Sequence, residues 1–454
     1  MSELEPVFPV PDAGPSLPRR LGLGTATSVI VANMIGTGIF TTTGLMLAHV
    51  ESGWLVLLAW LVGGLVALAG ALSYAELATM MPHSGGEYAY LREIYGPLPA
   101  FLTGWTSFFV GFSAPVAASA VACAKYLTAA GVLRESWLVE KTTAAGIVIA
   151  LTAVHYCGLR VGARVQNLLT GLKLLLLFGL VAVGFAIGRG SWDFLGAASE
   201  FWNQGRPSQL GVTLLLAMFA YSGWNAAGYI GEEVEEPGRT LPRALLLGTL
   251  IVTLIYLLVN LLLFFAVLPG QLRGIVPVGE VAAVQLFGPG AAAIISSLIG
   301  LGLLSSLSAY VLIGPRVYYA MARDGLFFRF AARVHPRFHT PGLSILAQGL
   351  CALAMILTGT FEQLLTYIGF ALGIFPLLAV AGVFVLRRRE PARERPYRVW
   401  AYPVVPLFFL VTMTTILLVG FVNSPKTSLI ALATVAAGVP AYWLIVRRAP
   451  AKRG

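Results

Sequence analysis

Two apolar stretches half a chain apart carry the residues best suited to holding a small polar ligand. Ile35-Gly36-Thr37-Gly38-Ile39-Phe40 interrupts a run that begins near Leu23, and Phe219-Ala220-Tyr221-Ser222-Gly223-Trp224-Asn225 interrupts one that begins near Leu210. Glycine weakens a helix by about 1 kcal/mol relative to alanine, so each break has a cost. An unwound point exposes backbone N–H groups on one side and C=O groups on the other. The N–H groups suit a carboxylate and the carbonyls suit an ammonium or a metal cation; a zwitterionic α-amino acid presents both charges about one carbon apart. Gly36 and Gly38 allow close approach to the backbone. Thr37 and Ser222 add hydroxyls, Ile35, Ile39 and Ala220 apolar walls, and Phe219 and Trp224 bulk that would cap a ligand. Close helix packing through small residues is the alternative reading of either break alone.

Lys173 is the other chemical singularity. It lies in Leu168–Leu180, which is otherwise apolar apart from Thr170. Eleven residues beyond Gly162, at ~1.5 Å each, place it about 16 Å deep, near the midplane of a bilayer. An ammonium there costs roughly 2.5–3.5 kcal/mol and marks function by default. It can stand where a metal cation would, against carbonyls of an unwound helix. Weaker pocket or gate candidates are Phe219, the i, i+4 pair Tyr256 and Asn260, Ser305 and Ser306 with Ser308, and Tyr367. Interhelical polar contacts or bonds to their own helix backbone are the alternatives for these.

The elements that must hold these residues are membrane helices. Of 454 residues 57% are hydrophobic and 11% charged, with mean hydropathy +0.82, against about 25% charged in soluble domains. About twelve apolar runs long enough to span a bilayer lie near 22–49, 53–80, 98–128, 142–158, 162–188, 209–231, 242–268, 289–322, 342–360, 363–386, 401–422 and 427–446. Period-2 segments of a membrane β-barrel are absent. The expected fold is all-α and integral to the membrane.

With the N-terminus inside, 22 Lys and Arg fall on the inner side and 6 on the outer, with Lys125 and Lys173 inside spans. That split predicts both termini in the cytoplasm. The first break then lies in a span running outward and the second, five spans later, in one running inward. Short Gly-interrupted spans in corresponding places of two halves point to a binding site between inverted repeats. The predicted organisation is an N-terminal tail (1–20), a first repeat (21–190), a second (207–390), two additional spans (399–447) and a C-terminal tail (448–454).

Several functions are disfavoured. The basic loops account for the net charge of +10, so nucleic acid is not an expected partner; membrane lipid is. The first 18 residues lack the long apolar core of a signal peptide. Cys123, Cys157 and Cys351 show no disulfide framework. His49, His83, His155, His335 and His339 sit at span ends or in loops without ligand spacing, so neither a catalytic residue, a metal nor a cofactor is expected. No carboxylate falls at mid-depth, which disfavours a cationic amino acid or a polyamine as ligand. Glu232, Glu233, Glu235 and Glu236, near Arg239 and Arg243, read as a solvated loop or as an inner gate of ion pairs.

Gly36-Thr37-Gly38-Ile39-Phe40 resembles the first-helix motif of the amino acid–polyamine–organocation transporter superfamily. Tyr74-Ala75-Glu76-Leu77 through Pro82-His83-Ser84-Gly85-Gly86-Glu87-Tyr88-Ala89-Tyr90-Leu91 is similar to its stretch between helices two and three. Phe219–Asn225 with Glu232-Glu233 and Pro237 looks like helix six of its L-type exchanger branch, and Gly314-Pro315-Arg316 with Ala322-Arg323-Asp324-Gly325 like the end of helix eight. The resemblance covers most of 20–400. It implies a five-plus-five inverted repeat plus two C-terminal helices, and an amino acid bound where helices one and six unwind. Alternating access across the plasma membrane follows from it, as exchanger, uniporter or proton symporter. In sodium-independent members a lysine on helix five replaces the ion, so Lys173 implies sodium independence. Mammalian relatives join a glycoprotein through a cysteine after helix three; the loop 128–141 has none, so no disulfide-linked heavy subunit is expected.

Overall fold

The computed structural model describes residues 19, 21–50, 52–82, 85–157, 159–194, 207–333, 335, 337, 338, 340–358 and 361–448. Residues 1–18 and 449–454, most of the two expected tails, and His83, Ser84 and His339 lie outside the described residues. Those described are almost wholly helical, with one isolated parallel bridge between Leu21 and Val234. Among the described residues eleven helices are long and apolar enough to cross a membrane, and the ninth predicted span is a shorter apolar helix of 17 residues.

In order the spans are one (Leu23–Val50), two (Gly53–Met80), three (Pro97–Ala129), four (Trp137–Tyr156) and five (Leu159–Ile187). Span six runs from Pro207–Tyr221 into the 3₁₀ turn Ala226–Glu233. Seven (Pro237–Ala266), eight (Pro289–Arg323), nine (Gly342–Thr358), ten (Phe361–Arg389), eleven (Val404–Asn423) and twelve (Pro425–Arg448) follow.

Spans one, two, six and seven pack on one another, and so do three, four, eight and nine, with five against eight and ten against three. The pairs one–seven and six–two, five–eight and ten–three exchange when each span is replaced by the one five away. Spans one, three and six are the most buried. Leu168, Leu175, Val411, Val422 and Leu444, on spans five, eleven and twelve, are exposed. So large an apolar surface would be a liability in water and is what acyl chains cover.

One end of the bundle is clamped by Glu76, at the end of span two. It is 1% exposed and accepts from Arg387 Nε at 2.9 Å and Nη2 at 2.7 Å, and from the Val399 N–H at 2.7 Å; Arg395 Nε lies 3.4 Å away. The Arg387 guanidinium also covers the Tyr402 ring at 3.8 Å. Span two is thereby fixed to span ten and to the segment that follows it. Removing one member of a buried pair strands the other charge, at roughly 3–5 kcal/mol. Glu76→Ala is expected to lower the thermal unfolding midpoint in detergent clearly, whereas Glu236→Ala, whose contact with Arg239 is fully solvated, leaves it unchanged.

Candidate functional site

Span one unwinds for lack of side-chain support at Gly36. Its first half, Leu23–Met34, ends with Ile35 at ψ 87° and the second half begins at Thr37. The carbonyls stranded at this end find specific donors. Lys173 Nζ donates to Ala32 O at 3.1 Å and Ile35 O at 2.5 Å, with Ser306 Oγ at 3.5 Å. The Met34 carbonyl accepts from the Tyr256 hydroxyl at 2.5 Å. Lys173 is fully buried, so its ammonium is the cation of this break. The second half starts at Thr37, so the N–H groups of Thr37, Gly38 and Ile39 lie in its first turn and have no acceptor among the described residues.

Span six breaks where Gly223 adopts φ +97°, a conformation glycine reaches without a Cβ penalty. Ser222 N–H donates to Phe219 O at 3.1 Å and Ala226 N–H to Gly223 O at 3.0 Å, after which the chain continues as a 3₁₀ turn. The two breaks touch. A Cβ on Gly38 would lie 2.4 Å from Ala220 Cβ and 2.5 Å from its Cα, and one on Gly223 would press on the Asn33 backbone at 3.2 Å. The Tyr256 hydroxyl meets Ala220 O at 2.9 Å as well as Met34 O, with its ring held edge-on by Trp60.

A cavity of about 1450 Å³ adjoins the breaks. Of the sequence-predicted residues, Phe219, Ser222, Gly223 and Trp224 line it. Ile35, Thr37, Ile39 and Ala220 are buried beside it, with Gly36 behind Ser306 and Tyr310. Tyr256 ties the breaks. Asn260 accepts from Thr43 Oγ at 2.6 Å and donates to Tyr256 O at 2.8 Å. Ser305 pairs with Thr170 at 3.1 Å, and the Tyr367 hydroxyl with Thr434 on span twelve at 3.0 Å.

The lining also holds Asn33, Glu87, Phe112, Tyr310 and Pro376, none of which the sequence marks as a ligand group. Span three supplies Ser107, Gly111 and Phe112 from a widened helical turn, Ser107–Ser113. Such bulges cluster at functional sites, but nothing local in Ser-Phe-Phe-Val-Gly-Phe-Ser announces one. Pro376, inside span ten, was the available signal, since a mid-helix proline frees a carbonyl.

The cavity follows the first half of span one and the second halves of six and eight, as far as Glu232 and Tyr319. All of these lie toward the arginine-rich loops. The opposite half is closed by bonds from Tyr126 Oη to Phe40 O (2.5 Å), from Gly279 N–H to Tyr126 Oη (3.1 Å) and from Gly274 N–H to Gly44 O (2.8 Å).

A sequence model of the family described as "Amino acid permease" matches residues 21–444. The chain belongs to that family. Among relatives of this permease, the Bacillus subtilis (strain 168) protein named "Serine/threonine exchanger SteT" is 31% identical over 440 residues, covering 95% of this chain and 98% of that protein. The mouse "Asc-type amino acid transporter 1" is 30% identical over 94% of this chain and 81% of its own length. The mouse "Large neutral amino acids transporter small subunit 2" is 31% identical over 95% and 82%. The permease is thus a transport protein, and the matched stretches of these relatives cover nearly its whole length.

Proposed function

We propose that this permease carries neutral L-amino acids across the plasma membrane without sodium, by alternating access. The observation that carries the reading is that span one, at its break, holds an ammonium on stranded carbonyls and, just beyond, N–H groups with no acceptor among the described residues. The N–H groups of Thr37–Ile39 receive the substrate carboxylate. Carbonyls of the span-six turn receive its ammonium, while Lys173 holds the place a coupling ion would need. Phe219 and Trp224 shape the apolar part of the pocket. Residues 21–190 and 207–390 act as inversion-related halves, a reading supported by the span pairs that exchange under a shift of five. The 22 to 6 charge split supports cytoplasmic termini, and with that orientation the cavity belongs to the inward-facing conformation. The relatives' names, serine/threonine and large neutral amino acids, support a neutral side chain. The loop 128–141 holds no cysteine, so no disulfide-linked partner enters the reading.

The test is uptake of labelled amino acids into proteoliposomes, with and without sodium, a pH gradient and internal substrate. Serine, threonine, alanine or leucine is expected to enter equally with sodium or choline outside. Sodium dependence, or preference for arginine or putrescine, would overturn the assignment.

A further inference from the structure

Glu87 opens the short helix Glu87–Tyr95 between spans two and three and lines the cavity wall. Glu87 as a whole is 7% exposed, and its carboxylate accepts from Asn225 Nδ2 at 2.5 Å. Asn225 is the last residue of the span-six break before the 3₁₀ turn. This carboxylate thus links the segment that precedes span three directly to the break of span six.

Its other neighbours are phenols. Tyr74 faces it from span two, Tyr90 from its own helix and Tyr229 from the 3₁₀ turn. Glu232 lies further along the same wall, and span ten's Arg389 turns away to the Ile94 carbonyl at 2.9 Å. Among the described residues no lysine, arginine or histidine pairs with Glu87. The surroundings are fixed: a Cβ on Gly86, at φ +52°, would strike the Tyr229 ring at 2.7 Å. The Tyr74 and Tyr90 hydroxyls are buried beside it, so proton donors surround a carboxylate that pairs with no cation among the described residues.

We propose that Glu87 is a positioning residue of the transport cycle, which by binding and releasing one proton loosens and tightens the span-six turn through Asn225. The inference rests on the transporter reading above. An ionised carboxylate accepts at both oxygens and holds Asn225 together with the phenols; a protonated one must itself donate and accepts less. Burial pushes the Glu87 carboxyl up to about 7, so it is mostly neutral below that pH and ionised above it. Ionisation therefore holds the cavity-bearing conformation and slows departure from it as pH rises.

The experiment is exchange of a labelled neutral amino acid in proteoliposomes with the same pH inside and outside, so that no proton gradient drives it. For one site titrating near 7, the neutral fraction, and with it the exchange rate, falls about tenfold from about pH 6 to about pH 8. Glu87→Gln is expected to hold the acidic-limb rate throughout, and Glu87→Asp to restore the slope. A Glu87→Gln profile as steep as the parent's would overturn the proposal. Infrared titration of the purified protein supplies a second arm that needs no substrate. A protonated-carboxyl band with a midpoint near neutrality, lost in Glu87→Gln, supports it, and no such band refutes it. Absence of exchange at every pH would instead sink the transporter reading, leaving the infrared arm to decide Glu87.

Discussion

Lys173→Ala is expected to abolish transport while leaving the protein inserted and folded. The ammonium donates to Ala32 O and Ile35 O from a fully buried position, and alanine leaves both carbonyls without a partner. A hydrogen bond to a charged group contributes about 1.5–3 kcal/mol, so the two together represent at least about 3 kcal/mol, or a hundredfold in kcat/KM at 1.36 kcal/mol per decade. Lys173→Met separates charge from volume, because its flexible apolar chain fills much of the same space. Both variants are expected to fall below a hundredth of the parent rate in initial-rate uptake. Methionine restoring half or more of the activity would reduce Lys173 to packing.

The second large effect is expected from a single methyl group. In Gly38→Ala the new Cβ would sit 2.4 Å from Ala220 Cβ and 2.5 Å from Ala220 Cα, so spans one and six must separate by about an ångström to reach ordinary contact. Overpacking costs typically 1–3 kcal/mol, which a membrane bundle survives. The site does not, because ligand groups displaced by about 1 Å lose on the order of a hundredfold in rate. Uptake is expected to fall at least tenfold in protein that still folds, at a somewhat lower unfolding midpoint. Ala220→Gly in the same chain relieves only the Cβ contact, so the double variant stays impaired. Gly146→Ala, on span four with nothing near its Cβ, serves as the control and is expected to transport normally. Normal uptake by Gly38→Ala would show that the breaks need not touch.

Legibility in the sequence followed how local each signal was. The spans could be read because twenty apolar residues have few alternatives to crossing a bilayer, and the breaks because glycine weakens a helix wherever it sits. Lys173 stood out because charge at that depth is costly. The roles of Tyr256 and Asn260 could not be read. Their i, i+4 spacing placed them on one face, but only the fold brings Met34 O and Ala220 O to one phenol, 222 and 36 residues away. Glu87 was hidden for a related reason. In the sequence it belongs to a loop between spans, and its burial depends on Tyr74, Tyr229 and Asn225 converging from elsewhere. Tyr367 shows the reverse: a polar residue on an apolar span whose hydroxyl meets Thr434.

The Tyr256 hydroxyl has one hydrogen and two carbonyls to give it to, one from each broken helix. At any instant only one of Met34 and Ala220 is satisfied, and the other waits at hydrogen-bonding distance. Drawing one helix away therefore loses nothing, since the proton is handed to the helix that stays. The pair behaves like two plates sharing a single magnet, free to part at the cost of a choice rather than a bond.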